Sequence, residues 1–366
     1  MRRATTTSML LACALCACSG GAGGGDVTDA EADGDEGLEV SELPETNAID
    51  AIDALDDAWD AGDSGAVAID ADAPSAEVDA PLEPGGTYFY NLRAAPFPGT
   101  GHPDVAVHVP RGFDTRGRIG LVVFFHGFDN CVANVIGPAD SPCSPGGPAR
   151  TALHLVAQLD AARVNAILVA VQLRFEQATG DPGQLTKAGD LRDLLHELLT
   201  EHLDAALVAG GGRAIDLADV ERVVIGSHSG GYQAAAMAIS VGSVAQIREV
   251  DLYDSLYGDT AQFDGWMKPA IARFDVAKPD ALRFTDVYTT GGGTAANSRA
   301  MEARAKGWLD GVGLSASLYF DDTTATPTAA DYGKPVVFKL SGLAHVDVPR
   351  YYFGRFLAVA GFAPLP

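Results

Sequence analysis

Between Asp26 and Glu83 the chain has no lysine or arginine, and twenty of its residues are Asp or Glu. That stretch holds most of the formal charge of −24 and has no aromatic residue apart from Trp59. So little apolar surface cannot repay the entropy of ordering, so residues 18–84 are expected to be a disordered acidic tether. The run DGDEGLEVSE within it lacks the Asp-x-Asp-x-Asn/Asp-Gly order of a calcium loop and reads as solvated charge. Past Glu83, 29 acidic residues meet 23 basic ones, an ordinary balance for a globular domain. Clustered basic residues are missing throughout, which argues against nucleic acid as a partner.

Long apolar runs are missing too. Met9 to Ala17 is the apolar core of the N-terminus, preceded by Arg2 and Arg3, and it is too short to span a bilayer. The following Leu15-Cys16-Ala17-Cys18 resembles a bacterial lipobox. The resemblance implies a signal peptide over residues 1–17, a lipidated Cys18, and an exported protein attached to a membrane by several acyl chains. Cys16 departs from the small uncharged residue usual at its place.

Cysteine is scarce, with five in all, and only Cys131 and Cys143 follow the signal region. Twelve positions apart in a Pro/Gly-rich loop of an exported chain, they are expected to pair. Closing so short a loop stabilises by about 3 kcal/mol in the chain-entropy treatment. Metal signatures are missing as well. In HELLTEH, His196 and His202 stand six apart, about 240° around a helix, where a zinc pair needs a spacing of four. His202 is expected to be a packed, hydrogen-bonded histidine. No cofactor is implied.

What is present from Gly85 onward is an alternation of strands and helices. TYFYNL and DVAVHVP alternate in the manner of edge strands, while IGLVVFFHG, NAILVAVQL, RVVIGSH, EVDLYD, FTDVYTT and PVVFKLSG are short apolar runs suited to buried parallel strands. Between them, TALHLVAQLDAAR and DLRDLLHELLTEHLDAAL have helical spacing, with Leu191, Leu194, Leu195 and Leu198 on one face. The expected fold class is α/β, a mostly parallel sheet covered by helices on both sides, in one domain over residues 85–366.

Within ERVVIGSHSGGYQAAAMAI a strand, a turn of tiny residues and a helical run follow one another. A nucleophile held in a strained turn needs small residues two before and two after it. Ser229 has Ser227 and Gly231 there, whereas Ser227 has the β-branched Ile225 two before it. Ser229 is therefore the candidate nucleophile. SHSGG is similar to the G-x-S-x-G of the α/β-hydrolase superfamily, with Ser227 in place of the first glycine, and the resemblance covers Gly85 to the C-terminus.

The resemblance implies a base after the last strand, and of eight histidines only His345 follows Ser229. It implies an oxyanion hole after the strand LVVFFHG, formed by the N–H groups of Phe128 and Gly230, with His126 bracing the loop. Removing one such donor typically costs about a hundred- to thousand-fold in rate. Many relatives place the acid after the penultimate strand, yet here that exit reads TTGGGTAAN, without a carboxylate. Asp254, at the end of REVDLYD, is the candidate acid. Asp321 and Asp322, leaving SASLYFDD as solvated loop carboxylates, are its rivals, and Asp251 lies mid-strand as a possible buried structural partner.

The function these residues imply is acyl transfer from a small-molecule or polymeric ester by a Ser-His-Asp relay. An amidase or peptidase on the same residues, or a non-catalytic protein keeping the fold, are the alternatives. Phe263, Trp266 and Phe274 are expected either to wall an open site or to pack in the core.

Overall fold

The β-branched and aromatic runs become strands because their stiff side chains favour extended backbone. In a computed structural model that describes residues 85–99, 103–174 and 180–366, nine strands form one sheet. They are β1 (Gly86–Tyr90), β2 (Val105–Val109), β3 (Ile119–Phe125), β4 (Ala166–Val171), β5 (Val220–His228), β6 (Ile247–Tyr253), β7 (Arg283–Tyr288), β8 (Leu318–Asp321) and β9 (Val336–Leu340). The order across the sheet is β1-β2-β4-β3-β5-β6-β7-β9-β8. β2 runs antiparallel to both β1 and β4, and every other neighbouring pair is parallel. A mostly parallel sheet with an antiparallel second strand is the α/β-hydrolase fold. The assigned signal peptide, Cys18 and the tether of residues 18–84 lie outside the described residues.

The strand expected from DVAVHVP forms but is not an edge. All five residues of β2 are buried between β1 and β4. Its apparent alternation came from His108, which is inside, 2.9 Å from Thr87 Oγ1 and 3.0 Å from Asp160 Oδ1. A buried histidine with both ring nitrogens partnered reads as polar in a sequence without facing water.

Helices cover both faces. α1 (Leu155–Ala162) and α6 (Asp347–Val359) pack on one side through Leu155, Leu159, Val348 and Phe353. On the other lie α2 (Asp190–Glu197), α3 (Tyr232–Ser240), α4 (Thr260–Met267) and α5 (Ala295–Gly311). The expected leucine face of α2 is wholly buried. This helix continues through a π-helical segment, Leu198–Leu203, which carries His202. His202 packs on the Tyr90 ring at 5.0 Å, but its buried Nδ1 has no hydrogen-bond partner among the described residues, so it is packed without the expected satisfaction.

Because the strands from β3 to β9 are parallel, their C-terminal ends open on one edge of the sheet, where such folds gather their loops. The Cys131–Cys143 disulfide closes the loop just beyond the β3 exit. No helix among the described residues is long and apolar enough to cross a membrane.

Candidate active site

Five strand ends, those of β3, β5, β6, β7 and β9, supply the site. At the end of β5 the chain enters a 3₁₀ turn, Ser229–Gly231, before α3 begins. Ser229 has φ +52°, a left-handed conformation that costs a non-glycine residue on the order of 1 kcal/mol or more. The turn survives because the surrounding backbone closes on it. A methyl on Gly231 would stand 2.3 Å from the carbonyl oxygen of Phe125, so only glycine fits. Ser227 is wholly buried beneath the turn. Ser255 Oγ donates to the Ser229 carbonyl at 2.9 Å, so Ser227 Oγ, also 2.9 Å from Ser255 Oγ, must donate to it. Ser227 thus supports the turn, and Ser229 is left half-exposed.

His345 lies five residues past β9, with 31 % of its side chain exposed. Its Nδ1 donates to Asp254 Oδ2 at 2.6 Å, which leaves Nε2 as the basic nitrogen of the ring. The Tyr257 ring stands edge-on to His345, with centroids 6.3 Å apart. Burial and the nearby Asp254 charge push the Tyr257 phenol up to about 12, so it stays protonated.

Asp254 follows β6 directly, is fully buried, and has φ +47°. The loop that lacks a carboxylate, after β7, wraps around it. Thr289 donates its N–H to Oδ1 at 3.0 Å and its hydroxyl to Oδ2 at 2.6 Å, and the Thr294 hydroxyl donates to Oδ1. Gly292 packs so closely that a methyl there would fall 2.2 Å from Oδ2. Burial by itself would raise the Asp254 pKa, but the bonds from His345, Thr289 and Thr294 outweigh it and hold the carboxyl below its ordinary range. TTGGGT therefore contributes donors where an acid was expected. Thr289, Thr294 and the close-packing Gly292 were the readable signal.

The rival carboxylates sit elsewhere. Asp321, on the edge strand β8, accepts from the buried Lys339 Nζ at 2.6 Å and from the Thr323 hydroxyl. Its slight burial acts upward, yet these partners bring it down to about 2. It is an ion-paired strand residue, not the solvated loop carboxylate expected. Asp322 is exposed, and the His345 ring bonds to neither. Asp251 is buried beside Tyr253, and burial together with Glu249 raises its pKa far above the usual carboxylate range.

The loop after β3 faces Ser229. A methyl on Gly127 would lie 2.5 Å from Ser229 Cβ and 3.1 Å from the Gly230 nitrogen. Among the described residues the Phe128 N–H has no acceptor, and the Phe128 side chain is 44 % exposed. Gly230 sits in the first turn leading to α3, where N–H groups and the helix dipole favour negative charge. His126 braces this loop: Nδ1 donates to the Gly127 carbonyl at 2.8 Å and Nε2 accepts the Leu173 N–H at 2.9 Å. Burial lowers its pKa to about 4, so it is neutral. Beside His345 a cleft of about 260 Å³ runs between Thr289–Gly292 and Leu340–Ala344.

Of the aromatic residues weighed as walls, Phe263 and Phe274 are fully buried in the core, and Trp266 packs edge-on against Phe274 at 5.7 Å. Phe263 and Trp266 lie on α4, and Phe274 follows the 3₁₀ turn Lys268–Arg273 beyond it. His228, the variable residue of SHSGG, has a place that the motif alone does not indicate. Its ring lies 4.5 Å from that of His345, and its Nε2 donates to the His345 carbonyl at 3.1 Å.

No protein-family model matches the chain, and no relative is found among curated sequences. Among solved structures it is similar to a feruloyl esterase module from Clostridium thermocellum complexed with sinapinate, at 12 % identity and a TM-score of 0.45, over 82 % of this chain and 95 % of that one. A carbohydrate esterase from gut microbiota is similar at 11 % identity and a TM-score of 0.39, covering 77 % and 99 % of the two chains. Poly(aspartic acid) hydrolase-1 from Sphingomonas sp. KT-1 gives 14 % and 0.36, over 76 % and 99 %. Likeness at this level carries nothing about the reaction; the fold rests on strand order and the site on side-chain geometry.

Proposed function

We propose that the chain is a serine hydrolase of carboxylic esters, with Ser229 as nucleophile, His345 as base and Asp254 as the orienting acid. The observation that carries this reading is the buried Asp254 carboxylate bonded to His345 Nδ1, with the His345 ring packed on His228, the residue before a serine held at φ +52°. Ser229 Oγ attacks the acyl carbon as its proton passes to His345 Nε2. The carbonyl electron pair moves onto oxygen, where the Phe128 and Gly230 N–H groups receive the negative charge. On collapse the bond to the alcohol breaks, and His345 gives its proton to the departing alkoxide. Water then attacks the acyl-Ser229 ester, His345 takes a proton from it, and the carboxylic acid leaves with Ser229 restored. Esters are favoured over amides because an alkoxide needs less help to leave.

A fluorophosphonate probe and a series of chromogenic esters, with matched amides alongside, test the reading. Covalent labelling and ester turnover are expected. Neither in the folded protein would overturn it, and faster turnover of the amides would move it to an amidase. The same reading has the mature chain begin at a lipidated Cys18, supported by the order of basic, apolar and lipobox-like residues before it. Cys18→Ser is then expected to leave the membrane fraction, and an unchanged membrane-bound species would refute the anchor.

A further inference from the structure

His345 sits in a loop without regular structure, from Ser341 to Val346, between β9 and α6. Its bond to Asp254 fixes one ring nitrogen and leaves the ring able to pivot about that contact. Two further constraints are needed to aim Nε2 at Ser229, one on the backbone of residue 345 and one on the plane of the ring. His228 meets both. Its Nε2 lies 3.1 Å from the His345 carbonyl oxygen, and the two rings pack against each other, tilted by 34° with centroids 4.5 Å apart. A carbonyl only accepts, so the His228 proton is on Nε2.

We infer, on the strength of the proposed hydrolase reading, that His228 is a positioning residue that locks the His345 loop and ring to the strand end bearing the nucleophile. His228 is the last residue of β5 and Ser229 is the next. Nucleophile and base are therefore tied through adjacent residues of one strand, and a shift of that strand end carries both. The arrangement also needs a ring that does not compete for the serine proton. His228 is 5 % exposed, and burial, reinforced by His345, lowers its pKa to about 3. It remains a neutral donor wherever His345 works as a base.

The test compares His228→Phe, which keeps a flat ring but no donor, with His228→Gln, whose Nε2 stands at the same number of bonds from Cα as that of histidine. The readouts are kcat, KM, the fluorophosphonate labelling rate and the NMR signal of the His345 Nδ1 proton held by Asp254. His228→Phe is expected to lose about 10- to 100-fold in kcat and labelling rate, with KM within about 2-fold, since a displacement of an ångström costs up to about a hundred-fold. His228→Gln is expected to recover to within about 5-fold of the wild type. The Nδ1 proton signal should broaden or vanish in the Phe variant and persist in the Gln variant. A His228→Phe protein that keeps wild-type kcat and a sharp Nδ1 signal, with only a lower Tm, would overturn the inference and leave His228 as core packing. Failure of the wild type to label would overturn the hydrolase reading alone, because the Nδ1 signal reports the position of His345 without turnover.

Discussion

Asp254 Oδ2 and His345 Nδ1 lie 2.6 Å apart although 91 residues separate them in the chain. β6 and β9 flank β7 in parallel, so their C-terminal ends arrive together. Replacing Asp254 by Asn keeps its shape but favours the wrong tautomer of His345, a loss of about ten-thousand-fold in the best-studied triad. Asp254→Asn is expected to lose at least ~100-fold in kcat with little change in KM, and Asp321→Asn to stay within about ten-fold. Asp321→Asn should instead lower Tm, because it strips the buried Lys339 of its carboxylate. Steady-state kinetics on folded variants check this, and the reverse pattern would move the acid to β8.

Ser229 and Ser227 separate cleanly by exposure. Mass-spectrometric mapping of a fluorophosphonate adduct is expected to find Ser229 alone. Ser229→Ala should abolish labelling and lose at least ~1000-fold in kcat. Ser227→Ala should retain labelling while losing about 1 kcal/mol, the typical worth of its bond to Ser255. An adduct on Ser227 would contradict the geometry of the turn.

Thr289 and Thr294 keep Asp254 ionised. A carboxyl whose folded pKa is depressed adds stability above its unfolded pKa, and that stability is lost as pH falls through the folded value. Removing a donor hydroxyl raises the folded value, so Thr289→Val and Thr294→Val should unfold at a higher pH than the wild type in acid titrations followed by circular dichroism. Unchanged acid midpoints in both would show that the loop does not hold the charge.

Asp286, on β7, is fully buried with neither oxygen in a hydrogen bond among the described residues. Burial, with the Asp254 charge adding to it, pushes its pKa to about 8. For an acid raised on folding the sign reverses: stability is greatest below the unfolded pKa, near ~4, and declines as pH rises toward the folded value. Asp286→Asn removes that decline. Its Tm relative to the wild type should improve between about pH 5 and pH 9, the interval that brackets this titration. A difference in Tm that stays constant with pH would place the Asp286 titration elsewhere.

By itself the sequence determined the alternation of strands and helices, the leucine face of α2, the small-residue turn around Ser229 and His345 as the one histidine beyond it. These are local signals, set by periodicity and steric size within a few residues. Only the tertiary structure decided the rest. That β2 is interior depends on neighbours supplied from both sides, and the sequence shows only its buried histidine as polar. Which carboxylate lies beside His345 depends on strand order: β8, though it precedes β9 in the chain, lies outside it at the sheet edge, so Asp321 pairs with Lys339 instead. The Thr289 bonds to Asp254 cross 35 residues and the His228 bond to His345 crosses 117. Such contacts are fixed by sheet register and loop closure, in which the partners meet through space, and no pattern of neighbouring residues encodes a meeting at that separation.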